Sequence, residues 1–263
     1  SKFEYLERNL QRDDLGLLET KIFPGLNIER KYRRYYPHNH IAAQILGYTN
    51  LDDEGISGIE KDYNHYLKGN PGWVFKTKGW SGKVQHKSGM PFERPIDGSN
   101  IQLTIDLEYQ SILEEELEKR QLETNASSAT GIIMDPETGE ILAMATTPGF
   151  NNNKFGSTKP EFHRIRAITD QFEPGSTFKV VSTVSAIYDG TIGLKDEFNC
   201  EDGSFEYYTK KITDHESFSL LTLPQIMHYS SNIGIVKMME KVGQKKLFTI
   251  GRDFGFGTRT GIS

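Results

Sequence analysis

Hydrophobic and polar positions divide the chain into two regions of different character. Before about residue 98, short apolar runs alternate with glycines, eight of them between residues 55 and 98. This pattern is typical of an irregular, β-rich module. Within it, residues 1–20 have helical spacing, residues 26–36 read as a basic strand, and residues 41–46 form a short predicted helix that ends at Gly47.

The pattern beyond residue 98 predicts longer elements. Residues 101–106 alternate as a strand, and residues 107–123 form a predicted amphipathic helix with Tyr109, Ile112, Leu113 and Leu117 on its apolar face. Residues 131–135 and 140–145 read as a hairpin around a Pro-Glu-Thr-Gly turn. A polar loop over residues 150–164 and several helices follow, and this order predicts an α/β or α+β fold.

Composition narrows the class of protein. The chain has 263 residues, of which 36% are hydrophobic and 25% charged, so we expect a packed core and enough length for two domains. A net charge of −5 gives no general affinity for nucleic acid. The single cysteine, Cys200, cannot form an intrachain disulfide and is interpreted as structural. The chain contains no run of 18 apolar residues, so none of it is predicted to cross a membrane.

The helix that begins near Pro174 carries candidate catalytic chemistry. From there to Tyr188 its one ordinary charge is Lys179, among apolar neighbours on most sides, so the helix and the lysine are predicted to be buried. Ser176 lies one turn before Lys179, which puts a hydroxyl and an amine on one face. A neutral amine there could activate Ser176 as a nucleophile, and the Ser176 backbone N–H could bind an oxyanion.

The free energy needed to neutralise Lys179 bears on whether the Ser-x-x-Lys motif is catalytic. The pKa of a free lysine is near 10.4, and lowering it close to pH 7 costs about 4 kcal/mol. The helix dipole supplies at most ~1 kcal/mol of this, and desolvation and nearby donors must supply the rest. The alternative is an ordinary helix start, with Ser176 as the N-cap and Lys179 extended to solvent. A lone Ser-x-x-Lys is a weak signal, and the surrounding apolar sequence strengthens it.

A second polar motif lies 54 residues further on, where Ser230-Ser231-Asn232 separates two predicted helices, one from Thr222 to Tyr229 and one from Ile233 to Val242. In the catalytic interpretation, Ser230 relays a proton between the Lys179 amine and the leaving nitrogen, and Asn232 donates a hydrogen bond to the substrate amide. In the alternative, Ser231 or Asn232 merely caps the second helix.

Ser-x-x-Lys followed by Ser-x-Asn is the motif order of penicillin-binding proteins and serine β-lactamases. Longer stretches make the resemblance closer, among them Arg-Tyr-Tyr-Pro at 34–37, Gly-Ile-Ser-Gly-Ile-Glu at 55–60, Asp-Pro-Glu-Thr-Gly-Glu at 135–140 and Arg-Ala-Ile-Thr-Asp at 166–170. The whole chain resembles class B penicillin-binding proteins. The last of these stretches is closer to the division and sporulation branch than to the elongation branch.

The resemblance implies a fold and a function. It implies a penicillin-binding/β-lactamase-like transpeptidase domain, in part, from residue 99 to 263, preceded over residues 1–98 by part of a β-rich, non-catalytic pedestal of the dimerisation type. It also implies a peptidoglycan D,D-transpeptidase that acts on stem peptides ending in D-Ala-D-Ala and is acylated by β-lactams. The implied catalytic residues are Ser176, Lys179, Ser230 and Asn232.

The resemblance also implies a setting. We expect an anchor helix before Ser1, a periplasmic location, and a membrane-bound glycosyltransferase and division proteins as partners, with no nucleic acid. No cofactor or metal is expected.

One family motif does not occur in the chain. The family carries Lys-Thr-Gly, or a close variant, on a strand bordering the active site, and Arg259-Thr260-Gly261 matches a region upstream of it. We therefore expect the gene to continue beyond Ser263, and we expect residues 1–263 alone to react poorly with penicillin.

Two other classes of function stay open. One is a different penicillin-recognising serine acyl enzyme, that is, a carboxypeptidase, a β-lactamase or a sensor domain; the pedestal argues against a β-lactamase. The other is a non-catalytic scaffold for division proteins, in which Lys179 would keep an ordinary pKa.

Overall fold

The computed structural model describes residues 4–8, 25–26, 28, 31–78, 84–86, 90–188 and 190–262. These residues belong to two compact units, Ser1–Asp170 and Gln171–Ser263. The helix predicted for residues 1–20 falls largely outside the described residues. The domain boundary expected near residue 98 stays a prediction, since it divides the chain by family resemblance and not by compactness.

The first unit begins with short elements. Helices α1 (Ala43–Leu46), α2 (Gly58–Asp62) and α3 (Asn64–Leu67) precede two antiparallel pairs, β1 (Trp73–Val74) with β4 (Phe92–Glu93) and β2 (Lys76–Lys78) with β3 (Val84–His86). The short strands expected here are present, and they share the region with short helices, of which α2 and α3 were not predicted. Residues 31–36, expected as the end of a basic strand, have no regular secondary structure.

Helix α4 (Leu107–Thr124) and the hairpin of β5 (Ala129–Met134) and β6 (Ile141–Thr147) are the longest helix and the longest paired strands described in the first unit. Asp106 caps α4, because its carboxylate accepts from the backbone N–H groups of Glu108 and Tyr109. The Pro-Glu-Thr-Gly turn joins the two strands as predicted. The loop after β6 contains two 3₁₀ helices, Asn152–Ser157 and Pro160–His163, and leads into α5 (Arg166–Thr169).

The face of α4 that meets the hairpin is more polar than predicted. Tyr109 and Ile112, expected inside, are 48% and 51% exposed. Gln110 is fully buried instead; its side-chain Oε1 accepts from the backbone N–H of Met144 and its Nε2 donates to the Met144 carbonyl. An apolar side chain could not pair with these strand groups, which is why a glutamine occupies the contact.

The edge of β6 that faces away from β5 is occupied by other parts of the unit. The backbone N–H of Asp106 donates to the Leu142 carbonyl, and the side-chain amide of Gln44 donates to the Thr146 carbonyl. Residues 101–106 show the alternating burial that the sequence predicted but are not a β-strand, because they contact β6 only at isolated points. Leu103 and Ile105 still contribute to the apolar cluster around Ala42, Ile45 and Met144.

The second unit surrounds the helix predicted to be buried. A 3₁₀ turn (Gly175–Phe178) leads into α6 (Lys179–Ile187), and β7 (Glu197–Asn199) pairs with β10 (Leu220–Thr222). Between these strands lies the hairpin of β8 (Ser204–Tyr207) and β9 (Lys210–Thr213). Helices α7 (Leu223–His228), α8 (Asn232–Val242) and α9 (Gln244–Asp253) complete it.

Helices α6, α7 and α8 share a hydrophobic core with β7 and β10. Its centre is formed by residues with at most 3% of their surface exposed: Ala186, Ile192, Phe198, Cys200, Leu221, Leu223, Ile226, Ile233 and Met238. Cys200 is thus a buried packing residue, as predicted. Among the described residues, no helix has both the length and the apolar character needed to cross a bilayer.

Candidate active site

Ser176 lies on the exposed 3₁₀ turn that precedes α6. Gly175, just before it, has a φ of +57°, a conformation that favours glycine. In a 3₁₀ turn, side chains three residues apart eclipse each other, which keeps Ser176 and Lys179 on one side of the chain. The ring of Phe178 meets that of Phe256 edge-on, with centroids 5.2 Å apart, and this contact fixes the turn from the other side.

Lys179 is buried at the first position of α6, with 9% of its surface exposed. Its Nζ donates to Ser230 Oγ at 3.0 Å, to the Ser230 carbonyl at 2.5 Å and to Asn232 Oδ1 at 2.8 Å. Ser230 Oγ in turn donates to Ser176 Oγ at 3.2 Å. A continuous path of polar atoms therefore links the Lys179 amine to the Ser176 hydroxyl.

The burial of Lys179 makes its charged form less stable than it is in water. Burial lowers the pKa of the Lys179 amine below the ordinary value of 10.5, and the negative charge of Asp214 opposes part of that change. Extension of the lysine into solvent, the alternative considered from the sequence, does not occur. Lys179 is buried and its helix is poor in charge, as predicted, but burial on most sides of the helix was wrong: Val180 and Ile187 are 49% and 41% exposed.

The break between α7 and α8 brings the second motif to Lys179. A capping box of Thr222 and Gln225 begins α7. Ser230 ends the turn in the left-handed region, at a φ of 55°. Ser231 is the N-cap of α8, because its Oγ accepts from the backbone N–H of Gly234 at 2.9 Å. The capping role and the cleft-facing role therefore fall to different residues of one motif.

Asp214, at the end of the β8–β9 hairpin, was not identified from the sequence. Its carboxylate accepts from the backbone N–H groups of Asn232 and Ile233 at 2.6 and 3.1 Å and from Ser231 Oγ at 2.5 Å. It thus supplies acceptors to the first turn of α8, where backbone N–H groups have no partner within the helix. No local pattern around Asp214 signals this contact, which the hairpin makes across 17 to 19 positions.

The amide of Asn232 is held from both ends. Its Oδ1 accepts from Lys179, and its Nδ2 donates to the Thr213 carbonyl at 2.9 Å. All four residues proposed from the sequence, Ser176, Lys179, Ser230 and Asn232, therefore lie in one site of the second unit. Among the described residues, no group of three His, Cys, Asp or Glu side chains is placed to bind a metal ion.

Comparisons with known proteins agree with this geometry. Residues 129–263 match the model of the penicillin-binding protein transpeptidase domain, and residues 2–103 match that of the penicillin-binding protein dimerisation domain. The chain thus belongs to the penicillin-binding protein transpeptidase family. Within that family it is a class B protein of the division and sporulation type.

Individual relatives are similar over nearly the whole chain. Peptidoglycan D,D-transpeptidase FtsI of Escherichia coli is 31% identical over 99% of this chain and 44% of its own length. Stage V sporulation protein D of Bacillus subtilis is 30% identical over 97% of this chain and 39% of its own. Penicillin-binding protein 3 of Mycobacterium tuberculosis, solved in complex with ampicillin, has a TM-score of 0.73 and 25% identity over 87% of this chain and 47% of that one. The chain therefore spans less than half the length of these relatives.

Proposed function

We propose that the protein is a peptidoglycan D,D-transpeptidase of bacterial cell division that acts through an acyl-enzyme on Ser176 and is inhibited by β-lactams. The observation that carries the proposal is the path from Ser176 Oγ through Ser230 Oγ to the buried Lys179 Nζ, with separations of 3.2 and 3.0 Å. A hydroxyl connected to a lysine of lowered pKa is an activated nucleophile.

In the acylation step, Ser176 Oγ attacks the carbonyl of the penultimate D-Ala of a stem peptide. The Ser176 proton passes to the neutral Lys179 amine, directly or through Ser230. The peptide bond to the terminal D-Ala breaks, and the leaving nitrogen takes the proton from Lys179 by way of Ser230. The products are an ester on Ser176 and free D-Ala.

In the second step, an amine of a neighbouring stem peptide attacks the ester carbonyl. Lys179 takes a proton from the attacking nitrogen, the new peptide bond forms as the ester bond to Ser176 Oγ breaks, and Ser176 Oγ takes the proton back from Lys179. Asn232, which holds Lys179 through Oδ1, is the proposed donor to the substrate amide, and binding the substrate would exchange its Nδ2 contact with the Thr213 carbonyl for one with the peptide.

The similarity to FtsI and Stage V sporulation protein D supports the rest of the proposal. The protein acts on the periplasmic face of the cytoplasmic membrane, held by a membrane anchor. It works there with a membrane-bound glycosyltransferase and division proteins, and the dimerisation-type region before residue 104 is available for such contacts.

The test is covalent labelling of the full-length protein with a fluorescent penicillin, followed by mass spectrometry of the labelled peptide. We expect one adduct, on Ser176, that persists for many minutes and is lost in Ser176→Ala but kept in Ser204→Ala, which removes an exposed hydroxyl from β8. An adduct on another residue would refute the nucleophile. Rapid release of hydrolysed penicillin would indicate a β-lactamase, and no adduct at all would indicate a scaffold.

A further inference from the structure

The side chain of Asp214 holds the second motif in place through hydrogen bonds. It bonds to three consecutive residues of the break, Ser231, Asn232 and Ile233, through one side-chain hydroxyl and two backbone N–H groups. Ser231 is itself 1% exposed and contacts the buried Cys200 Sγ at 3.6 Å, so the carboxylate is tied to the core of the unit.

The same contacts determine where the Lys179 amine lies. Two acceptors of Lys179 Nζ are on Ser230 and a third is on Asn232. Ser230 immediately precedes the residues that Asp214 binds, and Asn232 is one of them. A shift of the break relative to α6 would therefore change every hydrogen bond of the amine.

We propose that Asp214 is a positioning residue of the acyl-transfer reaction, whose carboxylate holds the Ser230–Asn232 break so that the Lys179 amine meets Ser230 Oγ. This inference rests on the proposed function. Asp214 is placed to act through Ser230, Asn232 and Lys179 without contact with the substrate.

The charge of Asp214 gives the proposal a second consequence. Burial lowers the pKa of Lys179 and the charge of Asp214 raises it by a smaller amount, so the carboxylate moves upward the pH at which the base becomes neutral. Helix α6 has no other ionisable side chain. The elements in contact with α6 carry ionisable groups on His228, Lys237, Glu240, Lys241, Lys245, Lys246, Arg252 and Asp253. Of the described groups, Asp214 is the one whose charge acts on the Lys179 amine.

Two variants separate position from charge. Asp214→Asn keeps the size of the side chain and removes the charge, whereas Asp214→Glu keeps the charge and changes its reach. We expect both to lower the plateau rate of penicillin acylation by about 10- to 100-fold, the loss typical of a misplaced reacting group. Only Asp214→Asn should move the acid limb of the pH–rate profile to lower pH, because it removes the charge that raises the pKa of Lys179.

A matched control is Glu206→Gln, which removes an exposed carboxylate from the same hairpin and should change neither the plateau nor the limb. Thermal unfolding is measured for every variant. An unchanged plateau rate in Asp214→Asn overturns the proposal. A lower plateau rate and a lower melting temperature, with the acid limb unmoved, also overturn it, because that combination is expected of a purely structural residue.

Titration of Lys179 gives a reading that does not depend on acylation. In full-length protein labelled with ¹³C-lysine, the Cε signal of Lys179 is assigned by its loss in Lys179→Arg. Its midpoint should fall in Asp214→Asn and stay near the wild-type value in Glu206→Gln; an unmoved midpoint in Asp214→Asn overturns the inference. If the midpoint falls while the wild type is not acylated, the proposed function fails, and of the inference only the effect of the Asp214 charge on Lys179 stands.

Should Asp214→Asn fail to fold, Ser231→Ala provides the second test. It removes the hydroxyl that donates to Asp214 and leaves the charge in place. Because the same hydroxyl also caps α8, the rate is measured at a temperature where the variant is fully folded. A reduced plateau with an unmoved acid limb then supports the proposal, and a wild-type plateau overturns it.

Discussion

The Nζ of Lys179 lies 2.8 Å from the Oδ1 of Asn232, although the two residues are 53 positions apart and begin different helices. A planar amide thus orients a flexible amine. The lysine enters the reaction in a fixed position, and replacement of either partner should change the position of the other.

Replacement of Lys179 by arginine should abolish acylation although it keeps the positive charge. Arginine does not lose its proton in proteins and so cannot act as the general base, a loss worth about 10²–10⁴-fold. The measurement is the second-order rate of penicillin acylation of the full-length protein. Lys241→Arg, an exposed lysine on α8, is the control and should react like the wild type. A Lys179→Arg variant of normal rate would mean that Lys179 is only a structural cation.

Replacement of Ser230 by glycine should separate catalysis from folding. Ser230 has a φ of 55°, which glycine adopts without the usual cost of about 1–2 kcal/mol, so stability should not fall on that account. The hydroxyl that connects Lys179 to Ser176 is lost, and we expect acylation to slow by about 10²-fold or more. Asp202→Gly, at a φ of 50° and outside the site, is the control for the backbone effect. Equal acylation rates in the two variants would remove Ser230 from the proton path.

The free energy of unfolding should rise with pH because of Lys179. Its pKa is lower in the folded protein than in the unfolded chain, so between those two pKa values the unfolded state binds more protons and an increase in pH favours folding. Below that window the fold carries the cost of a buried charge. Denaturant titrations at several alkaline pH values should show this rise in the wild type relative to Lys179→Met. Parallel curves for the two proteins would show that the amine is not desolvated.

The contact between α7 and α8 should not tolerate a methyl group at Gly234. A Cβ there would lie 2.6 Å from Ile226, a fully buried side chain, so Gly234→Ala should destabilise the protein by about 1–3 kcal/mol. Gly251 in α9 has open space at the same position, and Gly251→Ala should stabilise by about 0.5–1 kcal/mol through helix propensity. Chemical denaturation measures both variants. A neutral Gly234→Ala would mean that the two helices can separate without loss.

The core of the candidate site could be predicted from the sequence because its chemistry is local. The sequence predicts that Lys179 is buried, because it is the one charge on an apolar helix, one turn after a serine. It also predicts a turn at Ser230–Asn232, because these residue types favour helix breaks. Asp214 could not be predicted in this way, since its role comes from a hairpin that returns to the first turn of α8. The roles assigned to the four residues stay predictions until acylation is measured.

Two elements of the fold also differ from what the sequence pattern predicts, because the pattern does not specify their hydrogen-bond partners. Residues 101–106 alternate in burial as a strand would, yet alternation alone does not specify where their backbone groups bond. On α4, hydrophobicity favoured Tyr109 and Ile112 for the inner face, whereas the strand edge required the amide of Gln110. Periodicity predicts which side of an element is buried only when the buried partner is apolar.

The contacts that Asp106, Gln110 and Gln44 make with β6 have a consequence for how this sheet can grow. They occupy the outward-facing carbonyls of Leu142, Met144 and Thr146 and the N–H of Met144, so these groups are not available to an added strand or to edge-to-edge aggregation. Alternation across an antiparallel pair directs the equivalent groups of Thr130 and Ile132, on β5, to the opposite border. An extended segment that joins this sheet, from its own protein or another, has β5 as its place of attachment.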